Sequence, residues 1–291
     1  LYSSKFIRKV NQILSLVKGP DFPSGAEIIS HKDDIKEIYE TGRGAIKTRA
    51  VYKIEQSEII ITALPYQVSG SKILEQIANQ IRTKKLPMVV DVRDESDHEY
   101  PTRVAVVLKS NRVDAEEVMS HLFVTTDLEK NHRINLNMIG INGKPRVLGL
   151  VPLLKEWLKF RADKVTLRLE SRLSKILERL HILEGLLVAY LNLDQVIEII
   201  RTEDRPKEEL ITKLKLSDEQ SEAILNLRLR QLAKLEEEKI SMEQVKLDKE
   251  RNDIEKTLKS KNRLKTLLKS ELQEDKEIHG DDRLSAIVNR N

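Results

Sequence analysis

The 291-residue chain has no cysteine. That absence removes a disulfide framework, a thiolate zinc site and a thiol nucleophile, and it is compatible with a reducing compartment. Aromatic residues make up only 4 % and tryptophan occurs once. No apolar run approaches the ~20 residues that a membrane-spanning helix needs, and no secretory pattern opens the chain. A cytoplasmic protein is the expectation. A strong charge of one sign is also missing, since 51 Lys and Arg stand against 47 Asp and Glu. The net +4 and pI near 9.0 suit a polyanionic partner only if the basic residues are gathered on one surface.

Nucleotide and hydrolase motifs are absent too. "ETGRGAIKTR" holds Gly42 and Gly44 but not the spacing of a P-loop, and no serine sits in a GxSxG elbow. His31, His121, His132, His181 and His279 form neither HxxxH nor HExxH, so structural or solvated roles are expected of them. The acidic stretch "RDESDHEYPTR", Arg93–Arg103, lacks the alternation and central glycine of a calcium loop. It reads as a polar connector between helix and strand, in which Arg93 and Arg103 pair with the neighbouring acids.

What is present is charge, 34 % of all residues, beside 40 % hydrophobic residues. This balance suits long solvated helices carrying apolar stripes. The opening residues "LYSSKFIRKVNQILSLV" resemble an amphipathic helix entered part-way, without a start methionine, and suggest a fragment. "GPDFPSGAE" then reads as a loop, and "HKDDIKEIYETGRG" as a short helix closed by glycine. "AIKTRAVYKIEQSEIIITALP" predicts two strands turning at Gln56 and Ser57. Period two puts Ile46, Thr48, Ala50, Tyr52 and Ile54 on one face and Lys47, Arg49, Val51 and Lys53 on the other. Arg43, Lys47, Arg49 and Lys53, with Lys109 and Arg112 at the end of a later strand, are the candidate phosphate-contacting residues.

A serine-capped helix follows in "SGSKILEQIANQIRTKKLP", then a strand, "TRVAVVLKS", and a helix, "AEEVMSHLFVTT". "RINLNMIGINGKPRVLG" predicts a hairpin turning at its Asn-Gly pair. Beyond about residue 150 strands vanish. Leu169, Leu173, Ile176, Leu180, Leu183, Leu187 and Tyr190 form a heptad seam, on a helix on the order of 40 Å long from Val165 to Leu191. A weaker seam through Met242, Val245, Ile254, Leu258, Leu268 and Leu272 predicts an antiparallel return. The fold class expected is α+β: a mixed domain, then a long antiparallel coiled-coil arm with a small helical dimerisation knob. An apolar knob at the tip of so thin an arm calls for self-association.

Several stretches together carry a family resemblance. "ALPYQVSGSKILEQIA", "HLFVTTDLEKNHRINLNMIG", "RLHILEGLLVAYLNLDQVIEIIR" and "LSDEQSEAILNLRLRQLAKLEEEKI" resemble, in this order, the breakage-reunion (A) subunit of bacterial type IIA DNA topoisomerases. "SDHEYPTR" and "TTDLEKNHRINLNMI" are closer to the topoisomerase IV type than to gyrase. The resemblance implies a leading helix (1–18), a tower domain beside the gate DNA (19–155), a first coiled-coil helix (156–192), a helical exit-gate knob (193–234), a returning helix (235–275) and a tail (276–291). It implies a homodimer closed at the knob, for which Leu216, Ala223, Ile224, Leu227 and Leu229 are the expected contacts by their place near the tip. It also implies two further partners, duplex DNA and a B subunit, in a parent enzyme that relaxes and decatenates DNA near the bacterial nucleoid. Mg2+ and ATP are expected through the B subunit, with no metal or cofactor bound by this chain.

One departure matters. The family's nucleophilic tyrosine follows an arginine, and none of Tyr2, Tyr39, Tyr52, Tyr66, Tyr100 or Tyr190 does. The winged-helix domain that carries it is expected to be missing, so no catalytic residue is assigned and the chain alone is expected not to cleave DNA. From pattern alone, a tethering coiled-coil protein and a hydrolase using the acidic stretch remain alternatives.

Overall fold

Local capping chemistry fixes most element boundaries. In a computed structural model, which describes residues 10–227 and 237–288, helix α1 (Val10–Leu16) leads through a proline-containing loop to strand β1 (Glu27–Ile28). Helix α2 (Lys32–Thr41) opens on His31, whose ring accepts from the Asp33 N–H while Asp34 accepts from the His31 N–H. It closes on Gly42 at φ +77°. A Cβ there would lie 2.3 Å from the Leu148 carbonyl oxygen, so both the left-handed backbone and the space demand glycine.

The chain divides into two compact units, Leu1–Lys159 with Asp281–Asn291, and Phe160–Gly280. The first holds all the strands among the described residues. β1, β2 (Arg43–Arg49) and β7 (Glu129–Asn135) form an antiparallel sheet in the order β1-β2-β7. β3 (Val51–Glu55), β4 (Glu58–Ala63), β5 (Val89–Asp94) and β6 (Val104–Leu108) form a second, in the order β3-β4-β6-β5. β8 (Asn137–Ile139) and β9 (Pro145–Val147) make the expected hairpin, with Gly143 at φ +74° in its turn. Period two in the second sheet buries Ile59, Ile61, Val104 and Val106 against Ile73 and Ile77 of α3 (Gly70–Arg82) and Val118, Met119 and Leu122 of α4 (Ala115–Thr125). Ser69 and Asp114 cap these two helices.

Two expectations are corrected here. The stretch from Ile46 to Ile54 is not one strand: it breaks at Ala50, whose N–H donates to Leu128, and its halves enter different sheets. Ile46 and Thr48 are buried as the alternation predicts, while Ile54 is 48 % exposed. The acidic stretch begins inside β5 instead of connecting a helix to a strand.

The C-terminal tail also returns to this unit. Asp21 accepts the N–H groups of Ser285 (2.7 Å) and Leu284 (3.1 Å), and Ser285 Oγ donates to the Phe22 carbonyl. The Arg283 guanidinium donates to the carbonyls of Gly19 and Pro20. Ile28 and Ile287 then form a parallel bridge, with hydrogen bonds from Ile28 N to Ala286 O and from Val288 N to Ile28 O.

The second unit is helical. The α5 helix (Leu150–Leu191) is followed by α6 (Leu193–Thr202), α7 (Pro206–Leu214) and α8 (Asp218–Leu225), then α9 (Glu237–Lys259) and α10 (Lys261–His279). Contacts between α5 and the last two helices run antiparallel: Arg161 meets Glu271, Arg172 meets Glu250 and Arg179 meets Glu243. Ala162 and Val165 pack with Leu264 and Leu268, and Ile176 and Leu180 pack with Ile254. The returning seam matches the expected one at Ile254, Leu258 and Leu268 but not at its start. Met242 and Val245 are 64 % and 69 % exposed, and Ile240, Leu247 and Ile254 face inward at seven-residue spacing. Ser260 interrupts the return, ending α9 and capping α10 through the Arg263 N–H.

Candidate nucleic-acid interface

The register of β2 against β7 decides which basic residues share a face. Arg43, Ala45, Lys47 and Arg49 stand opposite Asn135, Arg133, Asn131 and Glu129, and cross-strand partners project to the same side of a sheet. Ile46 and Thr48 project to the other side and are buried, Thr48 against His132 at 2.8 Å. Desolvation lowers the His132 pKa and Lys130 lowers it further, so the ring serves that interior as a neutral hydrogen-bonding group.

The six candidate cations do not form one surface. Arg49 is committed to structure: its Nε and Nη2 donate to Glu129 Oε2 at 2.8 and 2.6 Å, and its guanidinium lies 4.4 Å over the Phe123 ring. Lys47 also pairs with Glu129, at 3.1 Å. Burial pushes the Glu129 carboxyl up, but the hydrogen bonds from Arg49 and Lys47 outweigh it and hold the pKa below its ordinary value. Lys53 sits in the other sheet, opposite Ile60 and thus on the face carrying the Glu58–Arg93 pair. Lys109 and Arg112 lie exposed in the turn after β6.

What remains together is Arg43, Lys47 and Arg133, interleaved with Asn131 and Asn135 on the exposed face of β2 and β7. Arg43 and Arg133 have no ion-pair partner among the described residues. Guanidinium, ammonium and amide donors in a row suit anionic oxygens and carry no base-reading pattern. Arg133 escapes a sequence reading because its strand lies 80-odd residues from β2 and only the register joins them; the alternation in "EKNHRIN" was the available signal.

The acidic stretch resolves as a turn held by its own carboxylates. Asp97 accepts from the N–H groups of Glu99 (2.9 Å) and Tyr100 (2.6 Å), and Asp94 accepts from Ser96 (3.1 Å). Hydrogen bonds from Ser96 lower the Asp94 pKa. Arg93 and Arg103 both pair with Glu95, and Arg103 reaches Glu55, as expected of the connector. Among the described residues no group of three or more His, Asp or Glu is placed to hold a metal ion, and no helix is long and apolar enough to cross a membrane.

At the helical end, the five expected contact residues separate by burial. Leu216 and Ile224, the latter 1 % exposed, lie inside a core with Leu183, Leu186, Val196, Ile199 and Leu210. The chain spends both on its own folding, which corrects the expectation that Ile224 is a surface contact. Ala223 and Leu227 are half-buried. Leu229 lies outside the described residues. Close packing of α8 on α5 needs Gly185, where a Cβ would come within 2.7 Å of the Gln220 side chain. Gln220 donates to the His181 carbonyl at 2.7 Å, and the His181 ring meets Ser217 Oγ at the same distance. Leu191, 65 % exposed at the end of α5, is an apolar surface residue that the heptad reading did not single out.

A mixed α+β unit, followed by an antiparallel helix pair that ends in a small helical core, is the architecture in which these surfaces sit. Residues 3–273 match the family model for the A subunit of DNA gyrase/topoisomerase IV, and the chain belongs to that family. It is similar to the DNA topoisomerase 4 A subunit of Salmonella typhimurium, 58 % identical over 97 % of this chain, and to that of Escherichia coli K12, 57 % identical over the same share. The counterpart from Caulobacter vibrioides is 45 % identical over 83 % of the chain. The chain spans 37 % of the length of the first two relatives.

Proposed function

We infer that this chain supplies the tower and exit-gate portion of a topoisomerase IV A subunit. The parent enzyme, with its B subunit, Mg2+ and ATP, passes one DNA duplex through a transient double-strand break in another, relaxing supercoils and separating linked circles. In this reading Gly19 to about Lys155 form the tower, α5 and the returning helices form a coiled-coil arm, and α6–α8 form the dimerising knob. The observation that carries it is the antiparallel pairing of α5 with α9 and α10, packed through Ala162, Val165, Ile176 and Leu180, set in register by Arg172–Glu250 and Arg179–Glu243 and ending in a separate apolar core. Paired helices make a stiff spacer, which holds a gate apart by the width of a duplex, about 20 Å, whereas a hinge of loops would collapse.

The tower's part is to contact phosphates flanking the cleavage site, through Arg43, Lys47 and Arg133. The knob's part is a reversible homodimer contact, made by Ala223 and Leu227, with Leu229, over a core supported by Leu216 and Ile224. The metal and nucleotide belong to the B subunit, and no residue here is given to them. The chain itself contributes no nucleophile. A tether without DNA chemistry would have no use for the mixed unit and its cationic strand face, which disfavours that alternative.

A chimera tests the whole reading. Substituting this span into the E. coli A subunit, with the B subunit, ATP and Mg2+, should preserve decatenation of linked circles. A chimera that folds and dimerises yet leaves the circles linked would overturn it.

A further inference from the structure

A second cationic surface lies in the same unit, away from the β2–β7 row in sequence. The β8–β9 hairpin and the first turns of α5 enclose an open hollow of about 560 Å3, lined by Ile141, Arg146, Leu148, Lys155, Glu156 and Lys159, among others. One carboxylate organises it. Glu156 accepts the Ile141 N–H at 3.0 Å and both its oxygens take the Arg146 guanidinium. The Ile141 N–H is the largest cause of the depressed Glu156 pKa, which burial opposes and Arg146 reinforces. Gly140 leaves the room for this arrangement, since a Cβ there would sit 2.9 Å from Arg146 Nε.

The consequence is that the carboxylate lining the hollow is taken by Arg146 and the Ile141 N–H, and Lys159 acts on it only through its charge, without an ion-pair contact. Lys155 and Lys159, one helical turn apart on the same face of α5, are exposed, and neither has an ion-pair partner among the described residues. Lys144 stands exposed on the adjoining hairpin turn. The hairpin cannot swing freely, because Glu156 ties it to the helix that bears the lysines. Two exposed lysines on one helix face beside a partly apolar wall fit a polyphosphate backbone and its sugars, and offer no pattern for reading bases.

We propose that this hollow is a second, sequence-independent phosphate-contact site for duplex DNA, built on Lys155 and Lys159, with Arg146 held at its edge by Glu156. The proposal rests on the DNA-handling role inferred above and adds a surface to it.

The test is binding of the full 291-residue chain to a fluorescein-labelled duplex, by anisotropy across a salt series. Each phosphate contact contributes about 0.9 to the slope of log affinity against log salt. Lys155→Ala/Lys159→Ala should therefore flatten the slope by about 1.8, and Lys155→Arg/Lys159→Arg should keep it. Arg43→Ala/Arg133→Ala serves as the independent arm. If that pair lowers the slope while Lys155→Ala/Lys159→Ala leaves it unchanged, DNA binding stands on the β2–β7 face and the hollow is not a site. A wild-type chain that fails to bind duplex even at low salt would overturn the hollow and the tower contact together. Unchanged circular dichroism and melting of each variant keep the comparison interpretable.

Discussion

Arg49 stands directly opposite Glu129 in the β2–β7 ladder, and Glu129 takes its guanidinium on one oxygen and the Lys47 ammonium on the other. The pair holds β7 to β2 and occupies the Nε and Nη2 donors of Arg49.

A pH-dependent stability follows. The folded pKa of Glu129 lies below its ordinary 4.5, so its contribution is complete above that value and is lost as pH falls through the lowered one. Glu129→Gln should cost about 1–2 kcal/mol at neutral pH. Urea midpoints measured from pH 7 to pH 3 should show wild type and variant converging at the acid end. A constant gap would contradict the assignment.

The tail makes a separate prediction. Asp21 is pushed up by burial, but the N–H groups of Ser285 and Leu284 outweigh this and hold its pKa low, so it clasps Asp281–Val288 as a carboxylate. Asp21→Ala should speed amide exchange at Ile28 and Val288, whose N–H groups bond across this bridge, and leave exchange within α5 unaltered. Equal exchange at Ile28 in both proteins would show that the clasp rests on Arg283 alone.

Core and surface positions of the helix pair should part cleanly. Ile176→Ala removes a fully buried side chain and should cost about 2–4 kcal/mol. Met242→Ala and Val245→Ala, on the exposed side of α9, should each change stability by less than about 0.5 kcal/mol. Chemical denaturation of the three variants gives the answer, and a large loss at Met242 would restore the seam expected from the sequence.

The ion-pair ladder should set register more than stability. Arg172 and Glu250 are both substantially exposed, and such pairs contribute about 0.2–1 kcal/mol. A double-mutant cycle with Arg172→Ala and Glu250→Ala should return a coupling in that range that shrinks with salt. A coupling above about 2 kcal/mol would mean that the pair is less hydrated than its exposure implies.

How much of this was legible in the sequence differs by element. The α5 seam, the Ser69 cap, the Gly42 stop and the Asn-Gly hairpin were readable because each is a local signal with a local cause. The α9 seam was legible only in part: Ile254 and Leu258 lie on it, while Ile240 and Leu247 escape because Glu243 and Glu250, which pair with arginines across the interface, alternate with them; a half-ionic seam gives little hydrophobic period. The break at Ala50 depends on a hydrogen bond to Leu128 far along the chain, and a local alternation cannot report it. The cationic row on β2 and β7 was half legible: period two places Arg43, Lys47 and Arg49 on one face, but Arg133 joins them only through the register and the Glu129 pair shows only once β7 is placed. The tail clasp involves residues over 260 apart and left no local sign. Likewise Ile224 looked like a contact because an apolar residue near a tip has two uses, and only packing separates them.

Sedimentation equilibrium over a concentration series tests the exit-gate reading most directly. The expected result is a reversible dimer that Leu227→Asp abolishes without loss of helix content, whereas Ile224→Asp removes dimer and helical fold together because its side chain is core. A dimer indifferent to Leu227→Asp and Ala223→Asp, or a wild-type monomer at every concentration, would contradict it.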